Sequence, residues 1–223
     1  MKPGRLIAIG DIHGCLTALA RVLEAVAPKP EDTIITLGDY VNRGPDSRGV
    51  IERLMDLGEQ CTLVPLLGNH DETFLDVLLG QLPLDGLLQM HGQSTLDSYG
   101  YQGSLSVVPP EHVVFLTSCK LIFETDHHFF AHANYAPNKP LDQQSRIDSL
   151  WRSLRDSEPA EHFSKKQAIL GHTPQRSRVP LDRGHLICID TGCVYGGVLT
   201  ALDVVNGTLW QADDDQPNAM SPK

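Results

Sequence analysis

Five short apolar runs in this chain each deliver the same kind of residue at their far end, and that repetition limits the fold more than any other feature. Leu6–Ile9 runs into Gly10 and Asp11, Ile34–Leu37 into Gly38 and Asp39, and Leu63–Leu67 into Gly68 and Asn69. Phe129–Ala131 leads to His132, and Ala168–Leu170 leads through Gly171 to His172. Short apolar runs punctuated by glycine predict strands. A carboxylate, amide or imidazole then follows each one, where open α/β sheets place their ligands. Glycine just before that residue allows a sharp turn or a close approach by another backbone. Between the runs, Leu16, Leu19, Leu23 and Val26 recur at helical spacing until Pro28 and Pro30, and Val50, Ile51, Leu54 and Met55 do the same. Alternation of this kind predicts an α/β or layered α+β fold.

The chain of 223 residues suits one domain over residues 1–210, with a polar tail over 211–223 that we expect to be flexible. The long connection from residue 72 to 125 is expected to hold a helix from Glu72 and a glycine-punctuated stretch, His91–Gly103, forming a cap over one side of the site. No apolar run approaches membrane-spanning length, the start MKPGRLIAIGD lacks the layout of a signal peptide, and five scattered cysteines suit a reducing compartment. The expected location is therefore the cytoplasm, with no membrane partner. Cys188 and Cys193 invite a zinc reading, but no Cys-x-x-Cys pair supports it. A net charge of −10 argues against a nucleic-acid polymer as partner. It does not exclude a phosphate substrate, because acids that bind cations invert the local field.

Asp11 and His13 lie two residues apart, so in an extended segment they point the same way and can share one cation. Asp39 can bridge two cations about 3.5–4 Å apart. Arg43 is the cation of that loop, and its planar fork suits a phosphate. The carbonyl of Asn69 can complete the shell of a hard cation, and the adjacent His70 points away from it, toward a leaving group. Taken singly, each of these residues has an ordinary structural reading; their company gives them force. His127 and His128 read as a solvated pair, and Trp151 and Trp210 as packing residues.

The segments GDIHG, GDYVNRGPDS, LLGNHD, HANYAP and LGHTP, in this order, resemble the phosphoprotein phosphatase family of the calcineurin-like metallophosphoesterases. The likeness is greatest to its small bacterial and bacteriophage branch. STLDSYG, PPEHVVFL, SLWR and IDTGCVYGGVLTALD extend the resemblance from about Leu6 to Asp203. It implies two mixed β-sheets packed as an α/β/β/α sandwich flanked by helices, and two divalent ions, manganese first, with iron or zinc as alternatives. It also implies that Asp11 and His13 hold the first ion, Asp39 bridges, and Asn69, His132 and His172 hold the second. Arg43 then matches the phosphate-binding arginine, Arg152 the second one (with Arg155 nearby), and His70 the proton donor to the leaving oxygen.

Asn42 departs from the family, whose protein phosphatases carry aspartate there to hold the charge of the donor histidine. An amide offers no charge to favour imidazolium. The first expectation is a bacterial-type serine/threonine protein phosphatase, monomeric, acting on a phosphorylated protein or small phosphate ester. The alternative is a symmetrical diadenosine tetraphosphate hydrolase or another phosphoanhydride hydrolase, toward which Asn42 moves the balance. A non-catalytic phosphoprotein-binding module is the third, and six metal-capable residues argue against it.

Overall fold

In the computed structural model, which describes residues 4–214, ten strands form two five-stranded sheets. The first sheet has the order β10-β9-β1-β2-β3, from β1 (Leu6–Ile9), β2 (Thr33–Thr36), β3 (Thr62–Pro65), β9 (Leu199–Asp203) and β10 (Leu209–Ala212). Strands β1, β2 and β3 are parallel, while β9 and β10 add an antiparallel edge. The second sheet runs β4-β5-β6-β8-β7, from β4 (Ile122–Glu124), β5 (His128–Ala131), β6 (Gln167–Leu170), β7 (Leu181–Asp182) and β8 (Leu186–Cys188). Here β5, β6 and β8 are parallel.

The apolar runs are continuous because both faces of these strands are buried. Ala8, Ile35, Phe130 and Ile169 point into the layer between the sheets. Their neighbours Ile7, Ile9 and Ile34 face the helices on the outer side of the first sheet. Phe129, Ala131, Ala168 and Leu170 face the outer side of the second sheet, where Tyr135 and Leu154 cover them. Side chains alternate along a strand, so one run serves two cores.

Helices α1 (Leu16–Val26) and α2 (Ser47–Gly58) follow the expected apolar stripes. The helices of residues 72–125, expected as a cap, instead join the helical layer of the first sheet, and the segment ends in β4 of the second. It contains most of α3 (Asn69–Leu78), then α4 (Leu84–Gln89), α5 (Gln93–Ser98) and α6 (Pro110–Ser118). Phe74, Leu87, Leu96 and Leu116 share one core with Ile7 and Ile34, which is why this segment packs against the sheet. Only Met90–Thr95 reaches the site, as described below. A last short helix, α7 (Arg146–Leu150), precedes β6.

The expected tail starts later than residue 211. Gln211 and Ala212 pair with Thr200 and Leu199 in the first sheet. The Asp214 carboxylate accepts the Ala18 N–H at 3.0 Å, at the first turn of α1, where Cys15 provides no side-chain cap. The rest of the segment read as a tail, 215–223, lies outside the described residues. His128 opens β5 rather than lying in a turn.

Candidate metal centre

The carboxyl ends of β1, β2, β3, β5 and β6 converge, and the six residues expected to ligate metal meet there. Ligand atoms of Asp39, His132 and His172 lie within 4.8 Å of one another, as do those of His13, Asp39 and His70. Asp39 belongs to both groups, the position a bridging carboxylate needs: its two oxygens lie 3.2 Å from His13 Nε2 and 3.5 Å from His132 Nε2. Asn69 Oδ1 stands 3.0 Å from His132 Nε2 and 3.1 Å from His172 Nδ1. Asp11 lies outside both groups; its carboxylate accepts the His172 backbone N–H.

The chemistry of this donor set fits cations. Each imidazole has its other nitrogen hydrogen-bonded to a carbonyl oxygen: His13 Nδ1 to Val41, His132 Nδ1 to Leu37, and His172 Nε2 to Trp151. Those nitrogens must carry the protons, so the inward-facing nitrogens present bare lone pairs. The inward lone pairs of His132 and His172 thus face the Asp39 carboxylate and the Asn69 carbonyl oxygen, the Arg43 guanidinium meets that of His13, and His172 Nδ1 approaches His132 Nε2 to 3.2 Å. Burial pushes the Asp39 carboxyl up to about 7, His132 down to about 4 and His172 down to about 3. Divalent cations relieve both costs by compensating the carboxylates and taking the lone pairs.

The backbone of the ligand loops is strained and interlocked. His13, Asp39, Asn42, Arg43 and His172 have positive φ angles of 47°, 53°, 71°, 71° and 61°. Non-glycine residues hold such angles at a cost of about 1–3 kcal/mol each, and only where the surroundings enforce them. Asp71 is one enforcer, a residue to which no role attaches from sequence. Its buried carboxylate accepts the N–H groups of Asp39 (2.7 Å), Tyr40 (2.8 Å), Val41 (3.3 Å) and Gly68 (3.0 Å). Glycine does the rest: a Cβ on Gly68 would lie 2.2 Å from Asp39 N, and one on Gly171 2.2 Å from Asp11 Oδ1.

His70 sits edge-on to His13, with ring centroids 4.8 Å apart, and its backbone N–H is held by Asp39 Oδ1. Its Nδ1 faces the Asn42 amide nitrogen at 3.0 Å. The amide is oriented by Thr95, 53 residues away, whose hydroxyl donates to Asn42 Oδ1 at 2.8 Å and accepts the Asn42 N–H at 2.8 Å. The amide therefore donates to His70 Nδ1, which leaves the ring proton on Nε2. Burial and the nearby His13 and Arg43 hold His70 well below the usual histidine range. The backbone N–H of Arg43 donates to His91 O, so the stretch expected as a cap supports this loop from beneath.

A cavity of about 590 Å³ opens over these residues. Arg43 lines it, with Nη1 at 2.9 Å from His13 Nε2 and its guanidinium 5.3 Å from the Tyr195 ring centroid. A cation on His13 would take that lone pair and free the guanidinium for substrate. Arg152 does not line the cavity. One turn beyond Asp148, it pairs with that residue at 2.8 Å. Arg155 lines the cavity instead, anchored to the Pro174 carbonyl at 2.6 Å. Sequence reasoning also missed Asp190, a buried carboxylate lining the cavity just past β8, raised to about 7 by burial. The signal was present: the apolar residues Leu186–Ile189 end on it, as the other runs end on the candidate ligands.

Residues 4–204 match the calcineurin-like phosphoesterase family. The protein belongs to that family. Among its relatives, serine/threonine-protein phosphatase 1 of Salmonella typhimurium is 30% identical, over 86% of this chain and 88% of that one. The symmetrical bis(5'-nucleosyl)-tetraphosphatase of Janthinobacterium sp. is 32% identical, over 92% and 94%. In fold, the chain superposes with a TM-score of 0.69 on a cold-active protein-tyrosine phosphatase of a Shewanella species, 18% identical, over 95% and 78% of the two chains. The two-sheet sandwich is the one the family resemblance implies, and the candidate metal-binding groups hold four of the six expected ligands, His13, Asp39, His132 and His172.

Proposed function

We propose that this metallophosphoesterase hydrolyses phosphoanhydrides of the dinucleoside polyphosphate kind, with Asp11, His13, Asp39, Asn69, His132 and His172 holding two divalent cations. The carrying observation is the Asn42 amide on His70 Nδ1. A histidine that accepts at Nδ1 and is held neutral can donate a hydrogen bond from Nε2, but it is a poor acid. A serine alkoxide needs protonation as it leaves; a nucleotide phosphate, stable as an anion, does not. The bound cations, with manganese, iron or zinc all suited to mixed nitrogen and oxygen donors, supply charge neutralisation and an activated water.

The chain's own residues do the remainder. Arg43 and Arg155 bind the equatorial oxygens of the phosphoryl group under attack, and their charge is worth most as that group gains negative character. His70 Nε2–H steadies the departing oxygen. Asp71 and Thr95 hold the Asp39 and Asn42 loops so that these groups need not move.

A second reading, a serine/threonine protein phosphatase in the cytoplasm, is supported by the Salmonella relative. A pure binding module is disfavoured by the strained backbone and converging lone pairs, which binding alone does not require. The deciding experiment compares turnover of diadenosine tetraphosphate with that of a phosphoserine peptide in the presence of manganese. Preference for the dinucleotide is the expected result, and preference for the peptide overturns the proposal.

A further inference from the structure

We infer that Arg176 and Arg178, with the Tyr195 ring, form a second anion subsite at the rim of the cavity. It takes a phosphoryl group farther along the same polyphosphate chain than the one that meets the metals. The inference rests on the phosphoanhydride reading and deepens it.

Four arginines and no lysine line the cavity of a chain whose net charge is −10. Arg43 reaches His13 at 2.9 Å, beside the candidate metal groups, and Arg155 is held at the Pro174 carbonyl, two residues from His172. Arg176 and Arg178 have no such task. Elsewhere on the surface, arginines are matched to carboxylates, as in Arg48–Glu52 and Arg183–Glu158. Neither rim arginine has an acidic partner among the described residues. Arg178 is nonetheless fixed: Nη2 donates to Gly196 O at 2.5 Å, and its own carbonyl accepts from Gln211 Nε2 at 3.0 Å. Gly196 follows Tyr195 directly, and the Tyr195 ring packs against Arg43. An unbroken wall thus runs from the phosphate-binding Arg43 across an aromatic face to the Arg178 guanidinium. A volume of about 590 Å³ is far more than one phosphoryl group fills and is in the range of a nucleotide-sized ligand. Guanidinium groups bind phosphate oxygens in bidentate fashion, so the arginine-only lining suits a chain of phosphates.

The test uses the single variants Arg176→Ala and Arg178→Ala and the double variant; both residues are exposed, so melting temperatures should match the parent. The inhibitors are inorganic tripolyphosphate and orthophosphate, and the substrates diadenosine tetraphosphate and p-nitrophenyl phosphate, all with manganese. Loss of charge-assisted contacts in the double variant should weaken tripolyphosphate inhibition and raise the dinucleotide KM by about tenfold or more. Orthophosphate inhibition and p-nitrophenyl phosphate turnover should hold within about twofold. Unchanged tripolyphosphate inhibition, or an equal loss for orthophosphate, would overturn the subsite. If the parent enzyme turns over only a phosphoserine peptide, the anhydride reading fails, and the tripolyphosphate-to-orthophosphate comparison still decides the subsite.

Discussion

On the first-sheet side of the cavity, Asp39, Asn42 and His70 are each held by two or more hydrogen bonds from buried partners. On the second-sheet side, Arg155, Arg176 and Arg178 line the cavity from exposed turns, Arg155 and Arg178 each braced by a backbone carbonyl. The first wall is organised before substrate arrives, as groups that stabilise a transition state must be. The second can vary in charge and reach without disturbing the first. Loops on a fixed scaffold are where relatives of one fold diverge in substrate, in keeping with a phosphoprotein phosphatase and a dinucleotide hydrolase both among this chain's relatives.

Four experiments press on that contrast. The largest effect belongs to Asp39→Ala, which removes the shared carboxylate. Activity should fall by about a thousandfold or more, and metal content of the purified protein should fall with it. Retention of either would break the two-metal centre. Next is Arg155→Ala on the variable wall, which should raise KM about tenfold or more while leaving the manganese-induced gain in melting temperature intact. A lost thermal shift would instead make Arg155 part of the metal scaffold. Asn42→Asp should place a carboxylate on His70 Nδ1 and raise that ring's pKa from its depressed position. The donor would then stay protonated to higher pH, so phosphoserine hydrolysis should rise by roughly tenfold, with its alkaline limb moved upward. An unchanged pH profile would mean that the amide already accepts a proton from His70.

The smallest effect serves as a control at the opposite, amino end of the first sheet. Asp32 is driven up by burial, but Arg5 and two backbone N–H groups outweigh this and bring it down to about 2. A folded-state pKa below the unfolded value adds stability above pH 4 that drains away as pH falls toward 2. Asp32→Asn should flatten the stability curve in that window, read from melting temperatures, and leave turnover at neutral pH unchanged. Equal losses of activity would show that the two ends of the sheet are not independent.

The placement of the metal-capable residues was largely legible in the sequence because it is written locally. Asp11, His13, Asp39, Asn69, His132 and His172 each follow an apolar run, and the runs are strands. What escaped was written across distance. Nothing near Asn42 announces Thr95, and a pairing over 53 residues has no periodicity to read. Arg152 and Arg155 are three residues apart, and what separates them is Asp148, which takes Arg152 one turn later, and the Pro174 carbonyl, which holds Arg155. The segment 72–125 was misread as a cap because its helices are short and glycine-broken, which hid the single core they share with the sheet.

The place of β1 in the first sheet has a consequence for synthesis. Its neighbours are β2, made soon after it, and β9, made near residue 200; the Gly10 N–H just past β1 bonds to Thr200 O. The His13 N–H finds Asp39 O soon after synthesis, but the strand beside β1 that holds Gly10, next to Asp11, arrives late, and the first turn of α1 waits longer still, for Asp214. His132 and His172 come from the other sheet, also after most of the chain. Strands β1, β2 and β3 are complete long before the last of the candidate ligands is made, so a metal held by all six would be loaded at the end of production and would not seed folding.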